Sequence, residues 1–293
     1  MPELPEVQTI VNDLNKKIAG DTIVDFSSEW PKAIKNVKLP AFKKAIIGAK
    51  IKAAHRIGKN IFIDLSNEKT IYIHLKMTGH LLVKYQVSSI KYKAKEKDYF
   101  DDRVNQYIRH RWTLKGRNGK IKSMDFSDVR KFAKIVLTDT DKIKEIPEIK
   151  ALGIDAMSPE FTFKKFNEIL EKKKNMPIGL LLMDQSTIAG IGNIYRSEIL
   201  FEAGILPGRK VASLSGQERI KLYKSIKKIM EKAIKLRGTS DSDYRDTAGA
   251  PGGFQKVLRV YRKQGEKCQK CGTIVIRKAI GQRSAFFCPA CQK

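Results

Sequence analysis

The chain has 293 residues, with 58 Lys and Arg against 31 Asp and Glu, a formal net charge of +27 at pH 7. That excess of base points to a polyanionic partner, while 42% hydrophobic and 8% aromatic residues supply packed cores, exclude global disorder and, at this length, suit about two domains. No run approaches the roughly 18 apolar residues of a membrane span, and MPELPEVQ carries acid where a signal peptide carries base, so the expectation is a soluble, cytoplasmic protein away from membranes.

Val7, Ile10, Val11, Leu14 and Ile18 recur at helical spacing and Gly20 supplies a stop, predicting an amphipathic helix at the front. Pro2, Glu3, Pro5 and Glu6 open it, as proline and carboxylates do at the positive end of a helix. From Thr22 to about Leu137 short β-type runs follow, at 51–54, 60–65, 70–75, 80–85, 107–114 and 120–125. Alternation such as Ile61-Phe62-Ile63-Asp64-Leu65 suits the half-buried strands of a sandwich. Ser88 to Asn105, rich in Lys, Asp and Tyr, reads as a long exposed excursion between strands.

From Pro147 the period becomes helical again, over 163–174, 177–184, 193–202 and 215–236, with Leu222, Ile226, Ile229 and Ala233 along one face of the last. Two glycines in Gly190-Ile191-Gly192 precede the helix start at Asn193. Such a turn exposes backbone N–H groups and a helix N-terminus, both suited to gripping phosphate. Base outnumbers acid ten to one from Lys256 to Lys293 and eight to two from Ser215 to Arg237, whereas early acids balance Lys16 and Lys17. A nucleic-acid surface is therefore expected mostly on the later part of the chain.

All four cysteines lie near the C-terminus as two Cys-x-x-Cys pairs, Cys268 and Cys271, then Cys288 and Cys291. This spacing predicts one tetrahedral Zn2+, and four protein ligands leave no open position, so the ion is structural and activates no water. Thr273–Ile276 and Ser284–Phe287 read as the strands of a small hairpin, with Gly281 in its turn region and Arg283 beside it, where a guanidinium reaches a phosphate.

Six segments, in order, carry a family likeness: MPELPEVQTI at the start, HRIGKN at 55–60, HLKMTGH at 74–80, DVRKF at 128–132, DQSTIAGIGNIYRSEILFEAGILP at 184–207 and GQRSAFFCPACQK at the end. Together they resemble formamidopyrimidine-DNA glycosylases over essentially the whole chain. The resemblance implies an α+β protein: an N-terminal β-sandwich with an N-terminal helix over 1–140, a helical helix-two-turn-helix domain with a lesion-capping loop over 147–250, and a β-hairpin four-cysteine zinc finger over 256–293. It also implies a monomer, associated with the nucleoid, whose partner is double-stranded DNA containing oxidised bases or abasic sites, held between the domains.

The resemblance assigns residues too. Once Met1 is removed, Pro2 presents a secondary amine, and α-amino groups have a reference pKa of about 7.7–8.0, so a useful neutral fraction exists near pH 7. The family uses it as the Schiff-base nucleophile for base excision and strand scission. Glu3 matches the acid/base partner, Lys59 the lysine that assists β-elimination, and Arg283 the finger arginine assigned to δ-elimination; a lysine in a Gly-Lys turn is otherwise ordinarily solvated. Met77, Arg130 and Phe132 match the trio that fills the hole left by a flipped nucleotide, although Met77 and Phe132 read in isolation suit a core. His74 and Asn193 match phosphate-binding positions, and Lys174 a basic DNA contact.

Where many members have His-x-His, this chain reads Arg109-His110-Arg111, which leaves the DNA contact open between Arg109 and His110. Gly179 stands where some members have a lysine beside the damaged base, and that role is not transferred. Ser240–Gly253 matches the mobile loop that covers the flipped base. The rival readings are an endonuclease VIII-like glycosylase for oxidised pyrimidines and a non-catalytic damaged-DNA-binding protein; Pro2, Glu3 and Lys59 together argue against the second, since binding alone needs no proline amine.

Overall fold

Helix α1 (Leu4–Ile18) begins where the sequence places it, with Pro5 in its first turn and Glu6 Oε2 accepting the Glu3 N–H at 2.7 Å. Its buried stripe is Val7, Ile10, Val11, Leu14 and Ile18. A computed structural model describes residues 2–85, 99–241 and 243–293. Met1, Ser242 and residues 86–98 lie outside this set, and with them much of the expected excursion from Ser88 to Asn105. The chain divides into two units, Met1–Lys150 with Arg237–Gly253, and Ala151–Leu236 with Phe254–Lys293.

Unit 1 is an antiparallel sandwich. Its strands are β1 (Thr22–Ser28), β2 (Ile51–Ile57), β3 (Asn60–Leu65), β4 (Lys69–His74), β5 (His80–Tyr85), β6 (Ile108–Lys115), β7 (Ile121–Ser127) and β8 (Lys134–Asp139), with α2 (Leu39–Ile46) after β1 and α3 (Pro147–Lys150) at the end. One sheet runs β1-β6-β7-β5 and the other β2-β3-β4-β8. Alternate residues enter the shared core, among them Ile61 and Ile63, Ile71 and Ile73, Leu81 and Val83, Trp112 and Leu114, Met124 and Phe126. Each such side chain stabilises by roughly 1.5–3 kcal/mol on burial. The expected strands are present within a few residues; β1, β8 and α2 were not singled out by the sequence, α2 because it lies between β-type runs and carries lysines.

The segment 237–253, expected with the helical domain over 147–250, packs with unit 1. Arg237 donates to Asp13 Oδ2 at 2.5 Å and, through Nε, to Asp246 Oδ2 at 2.8 Å. Thr239 N–H reaches Glu6 Oε1 at 2.7 Å, the Val83 N–H meets the Thr247 carbonyl at 2.8 Å, and Arg245 pairs with Asp102 at 2.8 Å. The stretch expected as a mobile cover is thus tied at many described positions.

Unit 2 contains α4 (Phe163–Lys172), α5 (Ile178–Leu181), α6 (Asn193–Ala203) and α7 (Gly216–Lys235), with a two-residue parallel pairing of β9 (Ile154–Asp155) and β10 (Ile188–Ala189). Ser215 caps α7, its Oγ accepting the Glu218 N–H, and Leu222, Ile226, Ile229 and Ala233 are buried as predicted. The finger hairpin pairs β11 (Ile276–Ile280) with β12 (Arg283–Phe287), so its first strand starts later than the expected 273–276, beyond the turn that Gly272 closes after the first cysteine pair. Glu198 of α6 accepts the N–H groups of Arg259, Val260 and Tyr261 at 2.9, 3.0 and 2.9 Å, fastening the chain that leads to the finger. Burial raises this carboxyl above its ordinary range against those three donors. Among the described residues no helix is long and apolar enough to cross a membrane.

Candidate functional site

In unit 1, Pro2 and Glu3 are both buried at the mouth of α1, Glu3 only 3% exposed, and Glu6 holds the backbone there. Lys59 sits at the tip of the β2–β3 hairpin, where Ile57 pairs with Asn60 across a two-residue turn. Gly58 takes φ 60° as the first turn residue, the position a type II′ turn reserves for glycine. Contrary to the solvated lysine such a turn ordinarily carries, Lys59 is 7% exposed.

His74 at the end of β4 accepts the Lys76 N–H on Nδ1 at 2.9 Å, which leaves its proton on Nε2. Burial, then Lys76, Lys59 and Lys134, lower its pKa to about 4. At neutral pH it is an uncharged donor among cations, a combination suited to a phosphate oxygen. Met77 and Phe132 are exposed at 41% and 53%, against the core reading, and the Arg130 guanidinium lies 4.7 Å from the centre of the Phe132 ring.

Arg109 and His110 differ in burial. His110 is 1% exposed, stacked against Phe26 and Phe126 at 6.1 and 5.8 Å, with neither ring nitrogen hydrogen-bonded among the described residues. Desolvation lowers its pKa to about 4. Its ring is enclosed among the aromatic side chains of the core. Arg109 is partly exposed and its Nε donates to the Asp128 carbonyl at 3.1 Å.

In unit 2, Asn193 opens α6 after a turn braced by Gln185, whose amide accepts from Gly190 N–H at 3.0 Å and donates to the Ile191 carbonyl at 2.7 Å. Arg283 is exposed at the start of β12. Lys174 is exposed and paired with Glu171 at 2.8 Å. A Cβ on Gly179 would stand 2.7 Å from the Pro207 carbonyl oxygen, so this chain has no room there for the lysine of other members.

The four Sγ atoms lie within 4.8 Å of one another, with Cys268–Cys291 at 3.9 Å and Cys271–Cys288 at 3.5 Å. A tetrahedron with Zn–S bonds of about 2.3 Å has edges of about 3.8 Å, so the thiols fit one Zn2+. Burial and the neighbouring thiols push the Cys291 pKa up to about 12, a crowding that a divalent cation at the centre relieves.

Two supporting residues escaped the sequence reading. Asp128, 2% exposed, lies between the two turns that bear Met77 and Arg130, and Arg196, fully buried, lies under Asn193. Arg196 is a lone base among the apolar residues of α6, which is the signal that could have found it.

Comparison with known proteins agrees with this geometry. Residues 1–135 match the formamidopyrimidine-DNA glycosylase N-terminal domain, residues 152–244 its H2TH domain and residues 265–293 the zinc finger found in FPG and IleRS. The formamidopyrimidine-DNA glycosylase of Carboxydothermus hydrogenoformans is 40% identical over 294 residues, covering 100% of both chains. A solved complex of Lactococcus lactis Fpg with DNA containing an abasic site superposes with a TM-score of 0.83 at 30% identity, and one of MutM with DNA containing carbocyclic 8-oxo-G with 0.82 at 30%, each covering 100% of both chains. With three family models in order and relatives matched from end to end, the chain belongs to the formamidopyrimidine-DNA glycosylase family.

Proposed function

We propose that the protein is a bifunctional DNA glycosylase and abasic-site lyase of base excision repair, removing oxidised purines such as 8-oxoguanine and formamidopyrimidines from double-stranded DNA. The observation that carries this reading is the buried Pro2-Glu3 pair at the start of α1, held by Glu6, in a chain that matches the family over its whole length. With Met1 gone, the neutral Pro2 amine attacks C1′ of the damaged nucleotide while Glu3 hands a proton to the sugar-ring oxygen. The C1′–O4′ bond opens onto that proton, and the C1′–N bond to the base breaks with its electron pair leaving on the base, which takes up the proton shed by the Pro2 nitrogen. The resulting iminium is cationic without further protonation, so the C2′ proton becomes acidic and β-elimination expels the 3′ phosphate. Lys59 assists that step, and Arg283 protonates the leaving group in the following δ-elimination.

Extrusion of the nucleotide costs a few kcal/mol of pairing and stacking. Met77, Arg130 and Phe132 offset it, an apolar wedge, a guanidinium for the orphaned base and a stacking ring. His74, Arg109, Lys174 and Asn193 hold phosphates. In this assignment residues 1–140 carry the chemistry, the helical residues from 147 grip the backbone and 256–293 form the finger, around one structural Zn2+ that orders four thiolates and takes no part in the reaction. In this reading the protein acts as a monomer on chromosomal DNA, in the cytoplasm with the nucleoid.

Borohydride trapping on duplexes containing 8-oxoguanine or an oxidised pyrimidine tests the reading. A covalent adduct is expected first on the purine, lost in Pro2→Gly and Glu3→Gln. A folded, Met1-processed protein that traps neither lesion would refute it, and exclusive trapping on the pyrimidine would favour the endonuclease VIII-like alternative.

A further inference from the structure

The wedge side chains stand on two turns, Leu75–Gly79 between β4 and β5 with Met77, and 128–133 between β7 and β8 with Arg130 and Phe132. Each turn holds a non-glycine residue in the left-handed region, Lys76 at φ 53° and Lys131 at φ 57°. Such conformations persist only where the surroundings over-determine them. Here one carboxylate reaches both turns. Asp128 Oδ1 accepts the Thr78 hydroxyl and the Arg130 N–H at 3.2 Å, Oδ2 accepts the Ala133 N–H at 3.0 Å, and the Thr78 oxygen itself accepts from Arg130 N–H at 3.1 Å. Asp128 is in turn fixed to the start of β6, its N–H donating to the Tyr107 carbonyl at 3.0 Å and its own carbonyl accepting from Arg109 Nε at 3.1 Å.

We propose that Asp128 is a positioning residue for nucleotide extrusion: through Thr78 it locks the Met77 turn to the Arg130–Phe132 turn, so that the three side chains enter the duplex as one preformed wedge. The inference rests on the void-filling reading of those three residues. Every group facing the carboxylate is a donor, so all its contacts need an oxygen. Asparagine has the same shape but turns an NH2 toward either the Thr78 and Arg130 donors or the Ala133 N–H. The two turns then lose their common anchor while the chemical groups Pro2, Glu3 and Lys59 are untouched.

The lock matters where a base has to be displaced and much less where the base has already gone. Asp128→Asn is therefore compared with the wild type in single turnover on two duplexes, one carrying 8-oxoguanine opposite cytosine and one a preformed abasic site. Excision of 8-oxoguanine should fall about 10- to 100-fold, the scale set by misplacement of about 1 Å, while incision and borohydride trapping at the abasic site stay within about threefold. Fluorescence of a 2-aminopurine beside the lesion should report a matching slowing of extrusion. Thr78→Val should lose activity in the same selective way, and Thr78→Ser, which keeps the hydroxyl, should match the wild type. This pair carries the test if Asp128→Asn does not fold. Unchanged excision in Asp128→Asn, equal loss on both duplexes, or indistinguishable Thr78→Val and Thr78→Ser would overturn the proposal. A wild type that traps neither substrate would instead overturn the enzymatic reading beneath it.

Discussion

Nη2 of Arg196 donates to the backbone carbonyl of Ser284 at 2.8 Å, so a fully buried guanidinium on α6 holds the finger strand at the residue next to Arg283. The same Nη2 reaches Asn193 Oδ1 at 2.6 Å. One cation thus fixes both Asn193, proposed to hold phosphate, and the strand residue beside Arg283.

Replacing Arg196 by Met keeps most of the side-chain volume and takes the guanidinium from these part-buried acceptors. The expected cost is about 2–4 kcal/mol of stability, by chemical denaturation. The Kd for abasic DNA should rise by more than the trapping rate falls at saturating DNA, because Pro2, Glu3 and Lys59, on which the trapped adduct depends, belong to unit 1. Unchanged stability and affinity would remove Arg196 from this role.

Zinc removal should act on binding before chemistry. Chelation, or Cys288→Ser, leaves the thiols without the cation that their spacing fits, and the hairpin that presents Arg283 loses its base. Tight DNA binding should disappear, with the loss read by gel shift and by the release of one zinc per chain. Metal-free protein that binds and incises normally would contradict the structural role.

Acid sensitivity should come early and from histidines. His74 and His110 both have folded pKa values near 4, below the ordinary 6.5, so the unfolded chain binds protons that the folded one refuses. Their contribution is fully present above pH 6.5 and is lost as pH falls from 6.5 toward 4. Its slope is at most about 1.4 kcal/mol per pH unit for each histidine. His110→Phe, matching the rings of Phe26 and Phe126 on either side, should flatten that slope by one histidine and leave DNA affinity unchanged. Arg109→Ala should weaken binding without changing the acid profile. A drop in affinity in His110→Phe would restore the contact that its burial removes.

The sequence made much of this legible because its signals are local. The helical stripe of α1, the alternation in β3 and β4 and the paired cysteines each follow from spacing, and the six family segments point to the side chains proposed as catalytic. What stayed hidden depends on distant contacts. Neither the burial of His110 nor that of Lys59 can be read from a strand or a turn taken alone. Asp128, Glu198 and Arg237 are ordinary charged residues until their partners from other elements are in place. The balance of early acids against Lys16 and Lys17 does not extend over unit 1: basic residues exceed acidic ones in both units, and Lys59, Lys76 and Lys134 surround His74.

Because residues 237–253 complete unit 1 from the far side of the helical region, the catalytic body is discontinuous along the gene. During synthesis the sandwich emerges first, but Asp13, Glu6 and Asp102 wait for partners 87 to 97 residues downstream of residue 150. A fragment ending there would leave the Asp13 and Glu6 carboxylates without Arg237 and Thr239, and a cut anywhere in the helical region separates pieces of one folding unit.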